Sequence, residues 1–239
     1  MKYIFGPLKS RRLGNSLGIN VIPAKTCCFD CMYCQLGRTT NKTTERKEYV
    51  IADEVISELK YFLQNYSSQS DKINFVTLAG SGEPTLNLKI GQIISETKKV
   101  TAIPVAVITN SSLLSLEEVR RSLLSADVIL PTLSFYDNET FFAIHRPAQE
   151  LKSENILNGL IGLRSEFKGK IWLEIMLVRG MNDNPKKMKK LKEMVDLIKP
   201  DKIQLNTPTR MPKDIKILTP TRKTIQKIKD LFGEKCEVI

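Results

Sequence analysis

Residues 17–38 read LGINVIPAKTCCFDCMYCQLGR. An apolar run, Leu17–Pro23, hands over to a loop that packs four of the chain's five cysteines into eight positions. The run has the composition of a buried strand. Cys27, Cys31 and Cys34 follow it as Cys-x3-Cys-x2-Cys, and thiols one helical turn apart can converge on one centre. A structural zinc site takes four ligands, and outside the loop only Cys236 and His145 remain. Three cysteines instead leave an iron–sulfur cubane one ligand short, with an iron open to a substrate or cofactor. Cys28 adjoins Cys27, so its side chain is expected to diverge, and Cys236 is expected to be dispensable for a metal.

Five more apolar runs follow: Ile73–Ala79, Pro104–Thr109, Val128–Ser134, Ile171–Val178 and Lys202–Asn206. Helical patterns separate them, at about 52–66, 88–99, 115–124, 150–166, 185–198 and 220–232. Ser115 before LEEV, and Asn184 followed by Pro185, read as helix caps. In KKMKKLKEMVDLIK, Met188, Leu191, Met194, Val195 and Ile198 form an inward stripe with lysines outward. Six alternating units predict an α/β fold with a parallel sheet. Six are too few for the closed eight-unit barrel, so a partial (β/α)6 TIM-like barrel is expected. No low-complexity linker divides residues 1–239, which predicts one domain with a short N-terminal extension, residues 1–16. In such folds chemistry gathers at the C-terminal ends of the strands.

The composition is that of a globular protein, 41% hydrophobic and 26% charged. No stretch approaches 18 uninterrupted apolar residues and no secretory h-region is read, so no membrane partner is expected. An odd cysteine count argues against a disulfide framework. A monomer in a reducing cytoplasm is the expectation. The net charge is +11. Residues 1–48 carry nine Lys/Arg and three Asp/Glu, net +6, and residues 186–235 carry fifteen and six, net +9. Two basic ends suit a polyanion surface or simply lysine-coated helices.

The three-cysteine loop, with Tyr33 directly before the last cysteine and a first strand before it, resembles the radical S-adenosylmethionine (SAM) superfamily. The resemblance implies a [4Fe–4S] cluster on Cys27, Cys31 and Cys34, with SAM on the open iron. It also implies reductive cleavage of SAM to a 5′-deoxyadenosyl radical that takes hydrogen from a substrate, and a one-electron donor of flavodoxin or ferredoxin type. The turn Gly80-Ser81-Gly82-Glu83 after the second run is similar to the superfamily's Gly-Gly-Glu turn, with Ser81 a departure. It implies that Glu83 or backbone carbonyls receive the SAM ammonium. Tyr33, Asn110, Ser134, Glu174 and Asn206 stand near that site or at later strand ends and become SAM candidates by analogy. Asn110 and Ser134 read equally as turn caps, and Glu174 as half of a structural ion pair.

FGPLKSRRLGNSLGINVIPAKTC, FYDNETFFAIHRP and the pair EIMLVRGMND and QLNTPTR look like the small stand-alone proteins grouped with the wyosine-forming tRNA enzyme. No cysteine precedes Cys27, so that enzyme's second cluster is not expected, and Lys25 is not equated with its Schiff-base lysine. The resemblance points to tRNA or RNA modification. An activase or maturase acting on a protein or peptide, and a non-catalytic iron–sulfur protein, are the alternatives. Ser10, Arg11, Arg12 and the His145-Arg146-Pro147 segment are the substrate-side candidates, because guanidinium forks suit phosphate. The same arginines read equally as loop braces.

Overall fold

The computed structural model describes residues 1–66, 72–209 and 217–239. Arg210, the end of QLNTPTR, lies outside the described residues. Among the described residues eight strands form one sheet, which begins at one edge with β1 (Ile4–Ser10) and ends at the other with β10 (Cys236–Val238). Six of them are the expected core: β2 (Gly14–Asn20), β5 (Phe75–Ala79), β6 (Val105–Thr109), β7 (Val128–Pro131), β8 (Lys170–Met176) and β9 (Lys202–Asn206). They pair in parallel throughout. Val105, Ala106, Val107, Ile129 and Leu130 are fully buried, as strands covered on both faces must be. Each of the valine, isoleucine and leucine side chains contributes about 1.5–3 kcal/mol by leaving water.

Residues 1–16 are more than an extension. Ile4–Ser10 is a strand, β1, that pairs antiparallel with β2 and extends the sheet at one edge. Its Gly6-Pro7 interruption hides the strand in the sequence. The register shifts there, and the Phe5 ring packs on Gly18, where any Cβ would sit 2.0 Å from the ring. Pairing with β1 also moves β2 three residues toward the N-terminus of the expected run. Val21 and Ile22 are buried without joining the ladder. At the other edge β10 (Cys236–Val238) adds in parallel to β9. A short pair, β3 (Thr26–Cys27) with β4 (Asn41–Lys42), closes the base of the cysteine loop.

The helices are α1 (Ala52–Asn65), α2 (Ile90–Val100), α3 (Glu117–Leu123), α4 (Asn138–His145), α5 (Ser153–Glu166), α6 (Met188–Ile198) and α7 (Arg222–Phe232). On α6, Met188, Leu191, Val195 and Ile198 are buried as the stripe requires, and Met194 is partly so. Two caps differ from expectation. Leu116, not Ser115, precedes α3 and makes no side-chain cap. Asn184 holds a turn by accepting from Lys186 N–H, and α6 begins only at Met188. Helix α4 lies in a segment not read as helical. Asp137 accepts from Thr140 N–H and the Thr140 hydroxyl reaches back, a full capping box.

Candidate active site

The cysteine loop is docked on the C-terminal end of α4. Asp30 N–H donates to His145 O at 3.0 Å, Met32 N–H to Ile144 O at 2.8 Å and Ala148 N–H to Cys28 O at 3.0 Å. Inside the loop, Cys34 N–H bonds Cys31 O and Gly37 N–H bonds Cys34 O, each at 3.0 Å. Buried Asp30 gathers Thr39 N–H and Arg38, with Arg146 at 4.0 Å. Arg146 therefore braces the back of the loop and stands apart from Ser10, Arg11 and Arg12.

All five thiols are free. Burial, then the Glu83 charge, pushes Cys27 up to about 12. Cys31 is raised by burial, then by the charges of Cys27 and Cys34. Cys27 and Cys31 thus sit in a desolvated space with Cys34 close to both. Asn110 Nδ2 is 3.3 Å from Cys27 Sγ, His145 Nδ1 3.4 Å from Cys31 Sγ and Lys25 Nζ 3.8 Å from Cys34 Sγ. The Tyr33 ring meets the His145 ring edge-on, with centroids 5.9 Å apart. Cys28 is buried in the core beside Ser112. Cys236 pairs with Ile203, near the opposite end of β9 from Asn206. Among the described residues no three His, Cys, Asp or Glu side chains are placed to hold a single metal ion.

The Gly80–Glu83 turn locks against this loop. Lys25 N–H donates to Ser81 O at 2.7 Å and Glu83 N–H to Thr26 O at 3.1 Å. A Cβ on Gly82 would lie 1.9 Å from Thr26 O, so no side chain fits. Gly80 has φ +126° with Asn20 pressed against it, a conformation for glycine. Glu83 is buried, and its carboxylate accepts from Thr85 N–H and hydroxyl, from the Thr109 hydroxyl and from Asn110 N–H. Burial raises its pKa against these four bonds. Glu83 therefore ties its turn to the end of β6, while Ser81 O and Glu83 O already accept from Lys25 N–H and Leu86 N–H, so any ligand meets the turn at Gly80 and Gly82, which line a cavity with Cys34.

The later strand ends carry a second network. Glu174 accepts from Arg12 at 2.7 and 2.8 Å, from the Thr132 hydroxyl at 3.1 Å and from Asn206. Ser134, fully buried, accepts from Met176 N–H and ties β7 to β8. Ser10 accepts from Arg12 N–H and Leu13 N–H in the β1–β2 turn. Arg11 donates to the backbone carbonyls of Thr207 and Ile239 at 3.3 and 3.4 Å. A cavity of about 380 Å³ opens between the networks. Ser10, Arg11, Arg12, Tyr33, Cys34, Gly80, Gly82 and Asn206 line it with Lys9, and among the described residues no acidic side chain does. Ser81, Glu83, Asn110, Ser134, Glu174 and Arg146 stand outside its wall.

His145 was read with the substrate side, but only 1% of it is exposed. Burial lowers it to about 3, so its ring is neutral. Thr109, Thr132 and Asn182 are not among the site residues the sequence suggests, although Thr109 stands at a polar strand end. Thr109 and Thr132 close β6 and flank β7 as short polar residues after apolar runs, the one signal available for them.

A half-barrel whose mouth joins a three-cysteine loop, a glycine turn and an arginine-rimmed cavity is the framework of an iron–sulfur enzyme. Residues 21–198 match the Radical SAM superfamily, and the chain belongs to it. Over 237 residues it is 43% identical to a Brachyspira hyodysenteriae protein called GTPase Obg, covering 99% of this chain but 34% of that one. It thus spans about a third of that relative. A UPF0026 protein of Methanocaldococcus jannaschii is 37% identical over 98% of this chain and 72% of its own length. The solved structure of TYW1 with a lysine–pyruvate adduct bound superposes with a TM-score of 0.63 at 19% identity, over 94% of this chain and 75% of that one. The chain is a radical SAM enzyme, of a superfamily that works with a [4Fe–4S] cluster and SAM. Three neighbouring free thiols, and a cavity that Cys34, Gly80 and Gly82 line together, fit those two groups.

Proposed function

We propose that Cys27, Cys31 and Cys34 hold the cluster, that SAM lies in the cavity beside Cys34, and that the enzyme modifies RNA, with tRNA the first substrate to test. The observation that carries the reading is the shared cavity. Cys34, the Gly80–Gly82 turn and the basic β1–β2 hairpin face one space of about 380 Å³. When bound, the two cofactors supply the one-electron reduction and the hydrogen-abstracting radical. The chain's own residues bind and orient. Backbone carbonyls of the glycine turn accept the SAM ammonium, and Asn206 stands at the cavity's far wall. Lys9 and Arg11 offer cationic contacts to a phosphate backbone at the rim. Radical SAM enzymes need an electron donor, and a flavodoxin or ferredoxin type is the proposed one. No described helix is long and apolar enough to cross a membrane.

The RNA reading rests on the basic hairpin and on likeness to the small proteins grouped with a tRNA enzyme. Mass spectrometry of tRNA and proteome from cells with and without the gene tests it. A nucleoside lost from tRNA supports the proposal. An unchanged tRNA profile beside a lost protein modification replaces it with the maturase reading.

A further inference from the structure

We propose that Asn110, His145 and Lys25 act as positioning residues, one N–H group beside each cysteine sulfur, and together raise the reduction potential of the cluster those sulfurs hold. The inference rests on the reading of Cys27, Cys31 and Cys34 as ligands. The three groups come from three separate places in the fold: the loop after β6, the last turn of α4 and the loop after β2. They approach their sulfurs to 3.3, 3.4 and 3.8 Å.

His145 makes the strongest case. Rings of Phe29, Phe135 and Phe141 surround it with centroids 5.0, 5.8 and 5.8 Å away. Its Nε2 is buried with no partner. Of the two ring nitrogens only Nδ1 has a partner, and an orphaned buried N–H is rarer than an orphaned acceptor. The proton therefore belongs on Nδ1, directed at Cys31 Sγ. Asn110 is fixed in the same sense: its Oδ1 accepts Ser112 N–H at 2.9 Å, which leaves Nδ2 for Cys27. Lys25 is held in the left-handed region at φ 60°, and its ammonium also donates to Gly37 O. Such N–H groups draw charge from a ligating sulfur and favour the more negative, reduced cluster.

The test is an EPR-monitored redox titration of the anaerobically reconstituted chain without SAM, on Asn110→Ala, His145→Phe, His145→Asn and Lys25→Met, with iron and sulfide counted in each. Asn110→Ala and His145→Phe should keep their iron. Each should hold about tenfold less reduced cluster at a fixed poise, which is about 59 mV for one electron. Lys25→Met should shift the same way by less. His145→Asn places an amide near the Nδ1 position and should recover part of the shift. Unchanged potentials in fully loaded variants overturn the proposal. Loss of iron from Asn110→Ala and His145→Phe overturns it in favour of an assembly role. Failure of the ligand reading looks different, because Cys31→Ala would then keep full iron before any potential is measured.

Discussion

At the scale of single residues, the glycine turn and the cysteines have become one problem. Gly82 does not merely leave room for a ligand. Its missing Cβ is where Thr26 O sits, one residue before Cys27. Gly82→Ala must push β3 away, and overpacking of this kind costs about 1–3 kcal/mol. The expected outcome is a lower melting temperature together with reduced iron after reconstitution. Iron and SAM binding both at the level of the unsubstituted chain would show that β3 yields without consequence. Cys236 offers the contrast. Burial raises its thiol to about 12 from 9.0. The fold therefore favours the neutral thiol, and its contribution is complete below pH 9 and is lost as pH rises toward 12. Cys236→Ala should keep full iron and soften the loss of stability between pH 9 and 11, read by urea unfolding at each pH. The same steepness in both proteins would exclude the thiol as the cause.

At the scale of elements, the structure turns on α4. Three backbone bonds from its last turn and the residues just after it hold the cysteine loop, and its first turn depends on Asp137. Asp137→Ala removes the cap and should cost about 1 kcal/mol. Hydrogen exchange should rise at Asp30 and Met32, whose amides end on this helix, while exchange in α6 stays unchanged. The parallel strands were legible because burial on both faces imposes long apolar runs, and Lys202–Asn206 even has the expected bounds. The stripe of α6 was legible for the same reason. Helix α4 was not, because eight residues between a capping aspartate and a left-handed Arg146 span barely two turns. Strand β1 was hidden behind Gly6-Pro7. The cysteine spacing was readable in one dimension. His145 beside Cys31 was not, since the contact joins residues 114 apart in the chain.

At the scale of the whole molecule, the N-terminal hairpin reaches across the barrel mouth, and its two arginines do different work. Arg12 pairs with Glu174, of which 3% is exposed, on strand β8. Removing one partner of a buried pair strands the other charge and costs about 3–5 kcal/mol. Arg12→Ala should therefore melt earlier and lose SAM binding along with its packing, and Arg12→Lys should recover only part because one ammonium replaces the two guanidinium nitrogens that meet Glu174 Oε1. Arg11 is exposed and reaches backbone carbonyls, so Arg11→Ala should lower the melting temperature less than Arg12→Ala does. If the hairpin meets a phosphate backbone, Arg11→Ala and Lys9→Ala should each reduce the salt slope of tRNA binding by about one unit per lost contact. A double replacement of Arg11 and Arg12 would blend the two effects, so the single variants decide. Melting by calorimetry and tRNA affinity at several salt concentrations separate the bracing arginine from the binding one. Equal salt slopes for Arg11→Ala, Lys9→Ala and the unsubstituted chain would remove the hairpin from any nucleic-acid surface and leave it as the clasp that closes the sheet edge over the cavity.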